Sequence, residues 1–190
     1  AETDVIEPEG LDPTDPNYYS LTFYGPTEKS FKDWNDYSPI MILEYHEKRF
    51  MLSGDAEKEA EADFVSLAKE GNGKYEIFDG DFTVDVFKLG HHGSKTSSSE
   101  DFIEAMTTAQ NRQNVIAVIS CGEGNKYKHP HTEVLERLSA MGFAENNVVR
   151  TDTNGTVAMS VRGVEENGTV QYELFMGAEA VRRTDSVPLT

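Results

Sequence analysis

The fold is constrained most by a unit that recurs along the chain: a β-rich run, a polar loop with a glycine, and an amphipathic helix. The first copy begins with two β-rich runs within residues 40–53, which predict a hairpin that leads into Ser53-Gly54-Asp55. Strands that alternate with helices are typical of layered α/β folds. The helix predicted next has an apolar face at three- and four-residue spacing, formed by Ala60, Phe64, Leu67 and Ala68.

Two further copies of this unit follow. The run 82–90 predicts a buried strand that ends in a glycine, and the segment 97–101 (Ser-Ser-Ser-Glu-Asp) offers a capping box to the next helix. The run 114–120 predicts another buried strand. The helix after it is predicted to begin near Pro130 and to end at Gly142.

We therefore predict an α/β (α+β) fold, in which a mixed sheet is flanked by helices and followed by C-terminal β-hairpins. The hairpin turns are predicted at Asn154-Gly155 and Asn167-Gly168. Residues 1–30 are predicted to form an irregular acidic lead-in around one possible strand. Residues 31–162 then form the main domain, and residues 163–190 form a C-terminal hairpin and tail.

Composition narrows the possible functions. A net charge of −17 in 190 residues disfavours nonspecific binding to nucleic acid, although this global count does not describe any local surface. No apolar run approaches the roughly 18 residues of a membrane span, so no membrane segment is expected in this chain. Cys121 is the only cysteine and is expected to pack at a strand end, so a metal would bind through His and carboxylate side chains.

Three polar clusters are predicted to lie just past strand ends, where layered α/β folds carry their sites. They are Gly54-Asp55, the Gly-His-His-Gly-Ser segment 90–94 and the Asn-Lys-Tyr-Lys-His-Pro-His segment 125–131. Asp and neutral His are good zinc ligands, and neighbouring glycines permit the sharp turns that bring such side chains together. The three clusters together favour metal-assisted hydrolysis.

Each cluster also has a plain structural interpretation. Asp55 could be a helix N-cap, the adjacent histidines could be ordinary surface or core residues, and the segment 129–131 could be a helix start. His46 lies in a predicted hairpin turn and is given no function. A solvated helix face is expected for Glu57, Glu59 and Glu61.

In this order, the three clusters resemble the motifs of the metallo-β-lactamase superfamily, together with Asn35-x-x-Ser38 and Arg150-Thr151-Asp152. The resemblance covers about residues 35–160 and is greatest to ComEC/Rec2-like competence hydrolase domains and phosphorylcholine-esterase-like enzymes. It implies the C-terminal half of an αββα sandwich. It also implies a dinuclear site, usually zinc, in a cleft at one edge of that sandwich.

The resemblance implies roles for individual residues. Asp55 matches the carboxylate that bridges the two metals, and His92 matches a ligand of the second metal. His91 is expected to face the substrate or to support a ligand. Asn125 and His129 match cleft residues that contact substrate or developing charge. Positions that orient the Asp55 strand are Asn35 and Ser38.

The superfamily's first signature, H-x-H-x-D-H, supplies most of the ligands and is absent from this sequence. The H-x-H at residues 129–131 continues Thr-Glu-Val, so we interpret it as unrelated to that signature. Because a dinuclear site takes about six protein ligands, weak or absent metal occupancy is expected here. Three explanations stay open: a fragment of a longer protein, which we favour, a cleavage product whose partner is the missing N-terminal half, or a noncatalytic relative.

The expected function is hydrolysis by a dinuclear zinc site that is incomplete in this chain. Its substrate is expected to be a phosphodiester or another small molecule, with nucleic acid reached only through the parent protein. A lactone or β-lactam hydrolase on the same fold is one alternative. A noncatalytic binding module is the other. The sequence leaves the compartment open, and the resemblance slightly favours an extracytoplasmic or cell-surface location.

Overall fold

The computed structural model describes residues 5–25, 30–70, 83–164 and 170–180. Its centre is a seven-stranded sheet in which the strands follow one another in chain order. Neighbours from β1 to β4 are antiparallel, whereas neighbours from β4 to β7 are parallel. The strands are β1 Val5–Ile6, β2 Tyr19–Phe23, β3 Met41–Tyr45, β4 Lys48–Leu52, β5 Val86–Lys88, β6 Ile116–Ile119 and β7 Val148–Arg150.

The parallel half of the sheet positions the candidate site. Because β4, β5 and β6 run in the same direction, their carboxyl ends lie at one edge of the sheet. β4 leads into Gly54 and Asp55, β5 leads into His91 and His92, and β6 leads into the loop that begins at Cys121. All three polar clusters therefore emerge on the same side.

Helices cover one face of the sheet. Phe64, Phe102 and Leu138 come from three different helices and belong to one core with the inward-facing strand residues Phe87 and Ile119. Alternation along each strand puts the neighbouring residues on the opposite face. The helices are α1 Lys58–Glu70, α2 Glu100–Met106, α3 Thr132–Met141 and the single turn α4 Thr151–Asn154.

A β-hairpin packs on the opposite face of the sheet. It consists of the antiparallel strands β8 Val157–Val164 and β9 Val170–Met176. Val86, Ile116 and Val149 form a second, smaller core, against which Met159 and Leu174 of the hairpin pack. The predicted architecture of a mixed sheet flanked by helices, with a C-terminal hairpin, is confirmed. Among the described residues, no helix is long and apolar enough to cross a membrane.

One predicted turn is wrong. Asn154-Gly155 does not join two paired strands, because β7 pairs with β6 and β8 pairs with β9. Asn154 instead ends α4, and its side-chain oxygen accepts a hydrogen bond from the Arg150 backbone N–H at 3.0 Å. The predicted turn at Asn167-Gly168 lies outside the described residues. At the other end of the chain, β1 and β2 join the sheet within the segment 1–30.

Candidate active site

The structure brings Asp55 and the histidines together at the carboxyl edge of the parallel strands. Asp55 Oδ1 lies 3.5 Å from His92 Nε2. The His129 ring centroid lies 5.6 Å from that of His91, 6.3 Å from that of His92 and 4.8 Å from that of His131. Three segments of the chain, each at least 36 positions from the next, therefore share one surface.

A close backbone contact orients Asp55. Its N–H donates to Ser38 Oγ at 3.1 Å, which is the role expected of Ser38. Gly54 is left-handed (φ 54°), and a Cβ there would lie 3.0 Å from Ser38 Cβ. Asn35 supports the same turn, because its carbonyl accepts from the Ser38 N–H at 2.9 Å.

Asp36 makes the helix cap that Asp55 was considered for. This buried carboxylate accepts hydrogen bonds from the backbone N–H groups of Glu57 at 2.9 Å and Ala60 at 3.1 Å, at the start of α1. Asp residues satisfy the unpaired N–H groups of a helix start in this way. The Asp55 carboxylate faces His92 instead. In the sequence, a capping Asp is recognised only by its position just before a helix. Asp55 has that position, whereas Asp36, which makes the cap, does not.

The His92 side chain is oriented by a backbone carbonyl. Its Nδ1 lies 2.7 Å from Ser120 O at the end of β6. A carbonyl oxygen only accepts, so Nδ1 carries the proton, and in the neutral ring Nε2 presents its lone pair to Asp55. Metal-binding histidines characteristically donate their second ring nitrogen to such an oxygen.

The His91–His92 backbone is held in an uncommon conformation. Both residues are left-handed, with φ of 44° and 56°. Such values are rare for residues other than glycine and occur where surrounding contacts impose them. Gly93 follows with φ 79°, and a Cβ there would lie 2.7 Å from Pro130 Cβ. The segment 90–94 and the segment 125–131 therefore pack tightly against each other at Gly93.

Two glutamates brace this segment, Glu57 just before α1 and Glu61 within it, and the prediction that they are solvated is wrong. Glu57 Oε1 lies 2.9 Å from His91 Nδ1 and accepts from Thr96 Oγ1 at 2.6 Å. Glu61 is fully buried and accepts from the backbone N–H groups of Ser98 and Ser99. Burial raises the pKa of Glu61, against the hydrogen bonds from Ser99 and Ser98 and the nearby Arg137, which lower it.

Further hydrogen bonds fasten the same segment to the fold. Ser97 Oγ donates to Ala56 O at 2.6 Å, and the Gly90 N–H donates to Ser98 Oγ at 3.0 Å. Arg137 of α3 donates to the carbonyls of Ser97 at 3.1 Å and Ser98 at 2.6 Å. The loop that carries His91 and His92 is thus held in place by hydrogen bonds to the α1 region and to α3. The serine-rich sequence suggested a helix cap there, yet Ser99 makes no side-chain capping bond.

Asn125 holds its own loop in shape. Its side-chain N–H₂ donates to the carbonyls of Gly122 at 2.8 Å and His129 at 2.7 Å, while its Oδ1 accepts from the His129 N–H at 2.9 Å. The amide is therefore engaged with the loop backbone on both sides of Tyr127. Asn125 therefore positions His129, and its expected contact with a substrate stays a prediction.

His129 lies at the centre of the histidine cluster. Burial lowers its pKa, as do the neighbouring His131, His91 and His92, while Asp55 opposes them. His129 is therefore a neutral imidazole at neutral pH, able to donate or accept a hydrogen bond. His131 is the N-cap residue of α3, and its Nδ1 accepts from the Lys95 N–H at 3.0 Å.

Two other groups lie near the cluster. Lys88, the last residue of β5, is partly buried, which lowers its pKa, while the nearby Asp55 carboxylate raises it. The segment 150–152 fastens the end of β6, because Thr151 Oγ1 bonds to Cys121 O at 2.7 Å and to its N–H at 2.8 Å. Burial and the nearby Asp152 carboxylate raise the pKa of Cys121.

The cluster contributes few ligand groups in contact with one another. Within the described part of the chain, no group of three or more His, Cys, Asp or Glu side chains is gathered closely enough to hold a metal ion. Two pairs of side chains of ligand type are in contact: Asp55 with His92, and Glu57 with His91.

No protein-family model matches the chain. It is 32% identical to ComE operon protein 3 of Bacillus subtilis over 153 residues, which cover 80% of the chain and 15% of that protein. It is 35% identical to recombination protein 2 of Haemophilus influenzae over 114 residues, which cover 60% of the chain and 12% of that protein. It is 33% identical to competence protein ComA of Neisseria gonorrhoeae over 135 residues, which cover 71% of the chain and 17% of that protein. The chain thus matches less than a fifth of the length of each of these relatives, and its homologues are competence proteins of the ComEC/Rec2 family.

Proposed function

We propose that the chain forms part of a metal-dependent hydrolase of the metallo-β-lactamase superfamily that acts on phosphodiesters. The observation that carries this proposal is the 3.5 Å separation of Asp55 Oδ1 and His92 Nε2. Zinc ligands of these types lie about 2.0–2.2 Å from the metal, so two of them in a tetrahedral site are about 3.3–3.6 Å apart. The pair therefore fits two ligands of one divalent cation.

The proton on His92 Nδ1 strengthens the argument. With the Nδ1 proton hydrogen-bonded to Ser120 O, the Nε2 lone pair of the singly protonated ring and the Asp55 carboxylate face each other as two acceptors. Two acceptors need a cation or a proton between them. At 3.5 Å the pair exceeds the usual 2.7–3.2 Å of an N–H···O hydrogen bond, which favours a shared cation over a shared proton.

A bound divalent cation supplies Lewis-acid chemistry: it lowers the pKa of a water and polarises a phosphoryl oxygen. The chain's own residues orient the groups around it. Ser120 fixes the tautomer of His92, Glu57 aims His91, and the neutral His129 offers a hydrogen bond to a substrate oxygen. We place the remaining ligands in an H-x-H-x-D-H motif outside this sequence, as the greater length of the relatives permits.

Two other functions compete with this one. A lactone or β-lactam hydrolase would use the same metal chemistry, so the fold alone does not separate it from a phosphodiesterase. The relatives' names, competence and recombination protein, refer to processes that involve DNA, which is a phosphodiester, and this favours the first substrate class. A noncatalytic binding module would keep the scaffold without hydrolysis.

The test is hydrolysis of bis(p-nitrophenyl) phosphate by the longer protein that contains this chain. Asp55→Ala should lose more than a factor of ten in rate, which is about 1.4 kcal/mol of barrier. The matched control Asp101→Ala, an exposed carboxylate on α2, should retain the rate, and His131→Ala should retain most of it. Circular dichroism checks that each variant is folded.

The outcomes separate the three functions. A folded Asp55→Ala variant that keeps more than about a tenth of the rate would remove the metal-binding role from Asp55. Cleavage of lactones or β-lactams without cleavage of the phosphodiester would favour the second function. Folded protein that hydrolyses none of these substrates would favour the binding module.

A further inference from the structure

An exposed tyrosine lies beside the histidine cluster. The Tyr127 side chain is 61% exposed, and its ring stacks on His129 with centroids 5.7 Å apart and planes 23° apart. His129 in turn stacks on His92 at 6.3 Å and 17°. Since His92 contacts Asp55, a row of nearly parallel rings leads from the solvent to the candidate metal ligands.

The loop under this ring is pre-shaped. The three hydrogen bonds of the Asn125 amide tie the backbone before Tyr127 to the backbone after it. The Lys128 N–H adds a bond to the Asn125 carbonyl at 3.0 Å. A ring held this way needs little ordering when a ligand stacks on it, so most of the stacking energy is retained in binding.

The charges around the ring indicate what kind of ligand it fits. Lys126 and Lys128 are both exposed and flank Tyr127, and Lys126 Nζ lies 4.8 Å from the ring centroid. In a chain with a net charge of −17, these two lysines outnumber Glu123, the one acidic residue of the loop 122–129. A quaternary ammonium group would be repelled by the ammonium already over the ring. A neutral planar ring with an anionic phosphate beside it would be attracted.

We propose that Tyr127 is a stacking platform for a nucleobase of a single-stranded nucleic acid whose neighbouring phosphodiester lies at Asp55 and His92. The proposal rests on the hydrolase function proposed above and narrows its substrate class. Lys126 is a long exposed side chain, so it can leave the ring face and pair with a backbone phosphate. Stacking on an exposed aromatic ring combined with backbone charge contacts is how proteins bind single strands with little sequence preference.

The test is the fluorescence anisotropy of a labelled oligothymidylate of about 12 nucleotides, titrated at low salt with the 190-residue chain. Tyr127→Ala should weaken binding about fivefold to hundredfold, whereas Tyr127→Phe, which keeps the ring, should stay within about twofold. An abasic strand of equal length should bind the wild type and Tyr127→Ala equally. Tyr19→Ala, an exposed tyrosine on β2, is the matched control and should bind as the wild type.

Several results would overturn the proposal. These are equal binding of the oligothymidylate by Tyr127→Ala and the wild type, equal binding of the abasic and normal strands by the wild type, and no measurable binding by the wild type. Glycerophosphocholine that binds through Tyr127 in place of the strand would also overturn it. Hydrolysis separates this failure from that of the proposed function: loss of stacking with an Asp55-dependent phosphodiesterase intact overturns the stacking role alone.

Discussion

Two loops meet at the candidate site, and they are built differently. Half of the residues of the loop 90–99 are buried, and among them Ser94, Ser97 and Ser98 are less than 5% exposed. It is tied to the start of α1 through Glu57, which precedes the helix, and Glu61, and to α3 through Arg137. The loop 122–129 is mostly exposed, and the hydrogen bonds of Asn125 hold it from within.

This difference separates two tasks. A metal ligand must be held to within a fraction of an ångström, which takes supporting groups that are themselves fixed. The loop 90–99 meets that requirement for His92. A loop that contacts substrates must instead present accessible side chains, and exposed loops commonly do so. Under the proposed function, the first loop would support the metal ligand and the second would contact the substrate.

The largest effect is expected from removing the buried brace of the first loop. Glu61→Ala leaves the backbone N–H groups of Ser98 and Ser99 without their partner in the protein interior. We expect the free energy of unfolding to fall by about 3 kcal/mol. Urea denaturation measures the change. Glu59→Ala, an exposed glutamate on the same helix, should change it by less than about 0.5 kcal/mol. Equal effects of the two substitutions would mean that Glu61 does not brace the loop.

A smaller effect is expected where the two loops touch. Gly93→Ala places a Cβ 2.7 Å from Pro130 Cβ at a residue with φ 79°. The left-handed backbone and the close contact together should cost about 2 kcal/mol. Chemical denaturation and the NMR signals of the His129 ring would report it. A stable Gly93→Ala variant with unshifted His129 signals would show that the loops are not packed as described.

The sequence predicts the local elements better than the partnerships between them. Periodicity located the β3–β4 hairpin, and it correctly ended α3 at the left-handed Gly142. Periodicity does not locate the partner of Glu61, which lies 37 residues away in the loop 90–99. From the sequence alone, a glutamate beside the apolar stripe of a helix cannot be distinguished from a solvated glutamate. The distinction requires knowing which other segment of the same chain packs against it. The same limit explains why Asp36 and not Asp55 proved to be the cap of α1.

The smallest stability effect is expected in the exposed loop. Asn125→Ala removes three hydrogen bonds, but water can replace them at an exposed site, so a loss of about 1 kcal/mol is expected. Thermal unfolding measures the loss. Asn125→Asp keeps the acceptor for the His129 N–H and should fall between Ala and the wild type. A loss as large as that of Glu61→Ala would contradict the contrast between the two loops.

The most direct measurement of the central claim is the state of the His92 ring. Long-range ¹H–¹⁵N correlation spectra distinguish the tautomers of each imidazole. The variants His92→Asn and His46→Asn assign the ring signals of two histidines that both have a left-handed backbone. We predict that His92 carries its proton on Nδ1. Zinc added to millimolar concentration should then shift the His92 Nε2 signal, and Asp55→Ala should abolish that shift. A proton on Nε2, or a zinc shift absent from His92 or unchanged in Asp55→Ala, would contradict the account.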